Sequence, residues 1–213
     1  QDIPLMTSDG IVIPSIGLKS ALEKNDLINN VPIILGSNRD EVKLWLGTID
    51  YFVNIEYSFF GDVFNIPKVV LDSENVDAFE GFNEYRSNAW QIRGVLEPAK
   101  SLSRSGNDDI YLYRFDWDDH RNFFVANFKK LFGAAHATEI PLISGDDNLV
   151  GKFGFLIYPK GPSKNFTSRN MMNFWKNFAY YGVPGTSSNG VEWESYDYKN
   201  GKHNLLIIDN KPN

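Results

Sequence analysis

Hydrophobic and polar positions along this chain fall into blocks of different rhythm. The sharpest is Val31-Pro32-Ile33-Ile34-Leu35-Gly36, a continuous apolar run bounded by Asn and Gly. Such a run predicts a strand buried on both faces, as in a parallel sheet, and Pro32 near its start is tolerated there. Ser37 to Glu41 is polar, and Val42 to Leu46 reads as a short helix. Tyr51 to Phe64 is rich in aromatic residues without a clean period. Ser73, a good N-cap residue, opens a long helix carrying Val76, Phe79, Phe82, Ala89, Trp90 and Arg93. Pro98 suits the first turn of a further short helix, which Gly106 stops. Ile110 to Phe115 is a Tyr-rich strand, whereas Asp116 to Leu131 mixes polar and aromatic residues without deciding between states. Residues 145–164 read as a long loop. Met171, Phe174, Trp175 and Phe178 then recur at helical spacing within a helix over 168–181, ended by Gly182 and Pro184. Leu205 to Asp209 is a last strand. Before all of these, Asp9-Gly10 marks a turn, and Leu18 to Leu27 holds one or two helical turns.

Strand, helices, strand, helix, strand is an α/β pattern. Only about three strands are clear, whereas a sheet in such a domain has about five or six. A strand apolar on both faces also wants neighbours on both sides. The chain therefore reads as part of a sheet rather than a whole one.

Composition narrows the function. The 213 residues include no cysteine, which excludes disulfides, thiolate nucleophiles and Cys-ligated metal. Aromatic residues make up 15%, which calls for a large core or cleft. The net charge of −6 and the lack of clustered Lys and Arg argue against nucleic acid as a partner. No apolar run approaches the roughly 18 residues of a membrane span. No targeting segment is visible in a chain that starts at Gln1, and neither a secreted nor a cytoplasmic setting is singled out.

Three histidines are candidates for acid–base work. His203 falls in a predicted surface turn, Asn200-Gly201-Lys202-His203, and His120 in a predicted exposed acidic loop, Asp116-Trp117-Asp118-Asp119-His120. His136 differs: Gly133, Ala134 and Ala135 precede it, and small residues let a backbone approach a site closely. On spacing alone, a loop histidine without a role stays the better reading. Asp40-Glu41 follows the first strand, at the kind of strand end where α/β proteins gather function. A carboxylate there can orient an imidazole through its ring N–H. The plainer reading, that both carboxylates favour the N-terminus of the helix after them, stays ahead on these residues alone. The order Glu41 before His136 fits the last two members of an α/β-hydrolase triad, but no Gly-x-Ser-x-Gly occurs in the sequence. No metal-ligand spacing or phosphate loop is present, and Asp146-Asp147-Asn148 is too short for a calcium loop. Asn165-Phe166-Thr167 matches the N-glycosylation pattern.

Several segments, taken in order, resemble the type-B carboxylesterase and cholinesterase family, which includes the p-nitrobenzyl esterases. Val31-Pro32-Ile33-Ile34-Leu35-Gly36-Ser37-Asn38-Arg39-Asp40-Glu41 is similar to the segment carrying that family's triad acid. Gly133-Ala134-Ala135-His136-Ala137-Thr138-Glu139-Ile140-Pro141 is similar to the segment carrying its histidine. Tyr111-Leu112-Tyr113-Arg114-Phe115-Asp116 resembles the strand before that loop. Phe174-Trp175-Lys176-Asn177-Phe178-Ala179 with Gly182-Val183-Pro184 resembles the late helix and its stop. Trp193, Tyr196, Asp197 and Leu205 to Asp209 fit the closing turn and strand, and Asp9-Gly10 with Ile13-Pro14 the segment upstream of the acid. Val42, where the family usually has Gly, and Ser144-Gly145-Asp146-Asp147, where an aromatic-Gly ending is usual, depart from the pattern.

The resemblance implies the C-terminal portion of an α/β-hydrolase fold with an incomplete central sheet. Residues 1–213 are then the C-terminal part of one domain that lacks the nucleophile-bearing N-terminal part. It implies that Glu41 is the triad acid, favoured over Asp40, and His136 the base. Glu139 becomes a carboxylate close behind the histidine. Phe59, with Phe52, Tyr57 and Phe60, and Phe153, with Phe155, become candidate walls of a pocket for a small hydrophobic ester, although core packing suits most of the first group. The partner expected is the N-terminal portion of the same hydrolase, as a separate or nicked chain, and no cofactor or metal is called for. The rival is a non-catalytic adhesion or binding member of the same fold family. Retention of both Glu41 and His136 favours the enzyme.

Overall fold

A computed structural model describes residues 8–24, 31–57, 67–123, 125–151 and 154–210. The predicted turn at Asp9-Gly10 forms, with Asp9 Oδ1 accepting the N–H groups of Ile11, Val12 and Ile13. Helix α1 (Leu18–Lys24) follows. Strand β1 (Ile33–Asn38) leads through a tight turn into α2 (Lys43–Leu46). Strands β2 (Val53–Tyr57) and β3 (Pro67–Leu71) pair antiparallel. Helix α3 (Val76–Gln91) runs through a π-helical turn, Ile92–Leu96, into α4 (Glu97–Arg104). Strand β4 (Ile110–Phe115), the short β5 (Asn122–Phe123) and β6 (Ala126–Asn127), and α5 (Phe128–Phe132) come next. The chain closes with α6 (Ile140–Ser144), α7 (Gly154–Ile157), α8 (Pro162–Tyr181) and β7 (Leu206–Ile208).

Among the described residues the central sheet is parallel, in the order β1-β4-β7. Ile33 faces Ile110, Gly36 faces Tyr113, and Tyr113 faces Leu206. Alternation along β4 divides the core. Tyr111, Tyr113 and Phe115 meet Met171 and Phe174 of α8 together with Trp193, while Ile110 and Leu112 meet Val95, Ala99 and Leu102 of the π turn and α4. The sheet is thus covered on both faces, as an α/β layer requires. A second sheet, of four short strands among the described residues, has the order β2-β3-β6-β5.

The three expected strands and the helices at α2, α3, α4 and α8 are present, with differences that have physical causes. The long helix starts at Val76 rather than after a Ser73 cap: Asn75 holds the cap position without a side-chain hydrogen bond, and Asp72 accepts the Glu74 N–H just before it. Helix α8 starts at Pro162, six residues earlier than the apolar period, because its first turn is polar and Pro favours such a start. The expected loop at 145–164 holds a 3-10 turn, Asp147–Val150, and α7. The aromatic stretch from Tyr51 supplies β2, whose alternation is hidden because four of its five residues are exposed. Residues 33–36 of β1 are only partly buried, since this strand has β4 on one side and no other partner among the described residues.

Candidate active site

The site forms where β1 and β4 end, at the carboxyl edge of the parallel sheet, where α/β folds place ligands. The turn after β1 sets two consecutive carboxylates against the loop 133–136, and both are buried. Glu41 reaches forward: its Oε2 lies 2.8 Å from His136 Nδ1. Its Oε1 accepts the Asn38 N–H at 2.7 Å, and its backbone carbonyl accepts the His136 N–H at 3.2 Å. The carboxylate is thereby fixed at both oxygens. With Glu41 ionised, the geometry sets the tautomer, with Nδ1 carrying the proton and Nε2 left to act.

The His136 ring is 45% exposed and sits against two indoles, Trp45 of α2 at 5.3 Å and Trp90 of α3 at 5.4 Å between centroids. Among the described residues nothing hydrogen-bonds Nε2. Behind the ring the loop is dry, with Ala134 and Ala135 fully buried. Gly133 has φ +52°, and a Cβ there would overlap Asp40 Oδ2, so the glycine is required on both counts. Asn38 donates to the Ala135 carbonyl at 2.6 Å and to Glu139 Oε2 at 2.5 Å. Glu139 is thus tied to Asn38, whose backbone N–H also donates to Glu41. Burial pushes the Glu139 carboxyl above the usual range, against the opposing Asn38 hydrogen bond.

Asp40 does not serve as a helix-end charge, the plainer reading of the acidic pair. It takes the Ala134 N–H at 3.0 Å, the Asn83 amide at 2.7 Å and a two-point grip from Arg39. Burial would raise its pKa, but Lys43, Arg39 and the Ala134 N–H together hold it below the ordinary carboxylate value. His120 is also not in an exposed loop. It is 5% exposed, packed edge-on against Trp117 and Tyr158, with Nε2 2.8 Å from the Gly133 carbonyl and Nδ1 3.3 Å from that of Ile157. Burial pushes its pKa down. His203 lies on the surface as expected, stacked with Tyr198.

Phe59, Phe60 and Phe153 lie outside the described residues. Phe52 is a core residue against Phe79, and Tyr57 and Phe155 are exposed. The aromatic residues that do meet the histidine are Trp45 and Trp90. Trp90 was visible as an apolar position of a predicted helix, and nothing in the pattern tied it to a loop 46 residues later. Among the described residues no group of three His, Asp or Glu side chains is arranged to hold a metal, and no helix is long and apolar enough to cross a membrane.

A carboxylate–imidazole pair with an open Nε2 can take and return a proton and stabilise the resulting imidazolium. Comparison with known proteins finds relatives for most of this chain. The chain is 27% identical to carboxylesterase 1F of Mus musculus over 220 aligned positions, covering 91% of this chain and 36% of that protein. It is also 27% identical to the medium-chain fatty acyl-CoA hydrolase precursor of Anas platyrhynchos, covering 89% and 36%. It thus spans a little over a third of the length of these relatives. In fold it matches the Geobacillus stearothermophilus carboxylesterase EST55, with a TM-score of 0.63 and 20% identity over 97% of this chain and 42% of that one. A thermophilic p-nitrobenzyl (PNB) esterase gives a TM-score of 0.58 at 18% identity, over 92% and 38%. These neighbours are of the α/β-hydrolase fold. The model of the carboxylesterase family matches residues 68–213, more than half of the sequence. The chain belongs to the carboxylesterase family.

Proposed function

We propose that this chain supplies the acid and the base of a serine carboxylesterase, and that the nucleophile comes from a nucleophile-bearing N-terminal portion of the same hydrolase. The observation that carries this reading is the Glu41–His136 pair, 2.8 Å apart, with the carboxylate buried and the imidazole reaching solvent. No Gly-x-Ser-x-Gly occurs in the 213 residues, so the serine belongs to sequence outside them.

In the proposed reaction the serine hydroxyl gives its proton to His136 Nε2 as its oxygen bonds to the ester carbonyl carbon. Glu41 stabilises the imidazolium across Nδ1. Collapse of the tetrahedral adduct breaks the bond to the leaving alcohol, which takes the proton from Nε2. Water repeats the sequence on the acyl-serine and releases the acid. Donors to the oxyanion come from the complementary portion. Trp45 and Trp90 offer apolar surface beside the reacting nitrogen, which suits a small hydrophobic ester. The names of the relatives, a carboxylesterase and a fatty acyl-CoA hydrolase, support acyl transfer as the reaction class.

The test is hydrolysis of a p-nitrophenyl ester by the chain assembled with its complementary portion. His136→Ala and Glu41→Gln should each lower kcat by roughly 10²–10⁴-fold, the usual weight of positioned acid–base catalysis. This chain by itself should turn over no ester. Activity near the parent level in both variants would sink the assignment, and would favour a binding role for the same fold.

A further inference from the structure

We propose that Asp40 is a positioning residue that fixes the His136 loop through its backbone. The inference rests on the reading of His136 as the base. Asp40 and Glu41 are consecutive, yet they hold different parts of the same loop. Glu41 holds the ring of His136. Asp40 holds Ala134, two residues upstream, in a closed pair of hydrogen bonds: the Asp40 N–H donates to the Ala134 carbonyl at 2.9 Å, and the Ala134 N–H donates to Asp40 Oδ2 at 3.0 Å.

The carboxylate is surrounded by donors on both sides. Oδ2 also accepts from Arg39 Nε at 3.0 Å and Nη2 at 2.8 Å. Oδ1 accepts from Asn83 Nδ2 at 2.7 Å and lies 3.5 Å from Lys43 Nζ. Asn83 is itself buried on α3 and accepts from Ser87. Arg39 continues to Asp118 and to the Asp116 carbonyl, and Lys43 to Glu80. Asp40 therefore links the histidine loop to α3 and to the end of β4. Gly133 completes the fit, because its missing Cβ leaves the space that Oδ2 fills. A buried charge this fully satisfied is costly to disturb, since the buried Ala134 N–H and Asn83 amide would lose the acceptor that Asp40 gives them.

A carboxamide cannot replace it. In either orientation, Asp40→Asn turns an NH2 group toward donors alone, and the Ala134 link loosens. Displacement of a catalytic group by about 1 Å costs about 10²-fold in rate. Asp40→Asn in the assembled esterase should therefore lower kcat by about 10²-fold with KM within about threefold, the pattern of lost transition-state positioning.

A merely structural role is separated by a double-mutant cycle with His136→Ala. If Asp40 acts through His136, Asp40→Asn changes kcat by less than about threefold once the imidazole is gone. The low-field proton signal of His136 Nδ1–H should disappear in Asp40→Asn and persist in Asp118→Asn, which weakens the outer ion pairs with Arg39 and Lys129 and leaves the contacts of Asp40 in place. Should Asp40→Asn fail to fold, Asn83→Ala carries the test, because it removes one donor and leaves every charge; a kcat loss of about tenfold with the same dependence on His136 is expected. Unchanged kcat in the folded variant, or equal losses with and without His136, overturns the role of Asp40. Full activity in His136→Ala instead overturns the reading on which it rests, so the two failures are told apart.

Discussion

Gly36→Ala tests whether the sheet that carries the site is as tightly built as it looks. Gly36 of β1 lies directly opposite Tyr113 of β4. A Cβ added at Gly36 would fall 2.0 Å from Tyr113 Cε1 and 2.2 Å from Cδ1 and Cζ. Carbon atoms rest at about 3.5–4.0 Å, so the ring would have to withdraw by about 1.5 Å. It is closed in edge-to-face by Trp175 at 5.3 Å and Trp193 at 6.0 Å between centroids. Overpacking of this kind costs about 1–3 kcal/mol, and disturbing an aromatic pair adds about 0.5–1.5 kcal/mol. The expected loss is about 2–4 kcal/mol, which at an m-value near 2 kcal/mol/M moves a urea midpoint down by about 1–2 M. Tryptophan fluorescence reports the transition, since Trp175 and Trp193 flank the ring. The cycle with Tyr113→Ala isolates the cause: without the ring, the same Gly36→Ala change should cost under about 1 kcal/mol. A midpoint within about 0.3 M of the parent, or an equal loss in both backgrounds, would refute the argument.

Other consequences concern buried polar groups. Burial lowers the pKa of His120 in the fold, against the opposing Gly133 and Ile157 carbonyls, while in the unfolded chain it takes a proton at about pH 6.5. Below that value the unfolded state binds the extra proton, so stability present above about pH 6.5 falls as pH drops toward the lowered native value. His120→Gln should flatten the dependence of the urea midpoint on pH between about 7.5 and 5.5, and an unchanged slope would count against the burial argument. Trp193 Nε1 donates to the Leu112 carbonyl at 3.0 Å in the core. Trp193→Phe should cost about 1–3 kcal/mol in the same titration by leaving that carbonyl unpaired, and a loss below about 0.5 kcal/mol would contradict it.

The parts of this molecule legible from sequence are those in which a local pattern and its tertiary use agree. The run from Ile33 is apolar because its strand lies between covered faces, and the period of Met171, Phe174 and Phe178 follows the side of α8 that meets the sheet. Strand β2 was hidden because an exposed strand needs no alternation of burial. The burial of His120 is hidden for a related reason. Three aspartates around Trp117 read as a solvated loop, yet Arg39 and Lys129 neutralise Asp118, and Ser163 donates to Asp119. Arg39 and Ser163 come from distant parts of the chain, so no local window contains them. The pairing of Trp45 and Trp90 with the histidine is illegible for the same reason, since it is created where α2 and α3 meet beside the sheet end.

The acid–base pair is complete on one side and open on the other, and that asymmetry bears on how an esterase could be built from parts. Among the described residues a run of polar contacts orients His136, from the Asn38 N–H on Glu41 to the Ala134 N–H on Asp40. The imidazole can therefore be held in its working tautomer before any nucleophile arrives. Around the ring the surface is open: His136 is 45% exposed, and the indoles packed against it, Trp45 and Trp90, are 47% and 43% exposed. The partly buried β1 is likewise open along one edge among the described residues, although its apolar run suits burial. On the proposed reading, both surfaces await the same complementary portion. Docking would bring the serine to Nε2 and remove water from the indoles in one step. The rate of ester hydrolysis should then follow the concentration of the complementary portion to saturation. Glu41→Gln should lower the plateau with little change in the half-saturating concentration, because Glu41 is buried inside this chain and touches nothing across the open face. A shift of the half-saturating concentration alone, with the plateau intact, would place Glu41 in assembly instead of in the chemistry.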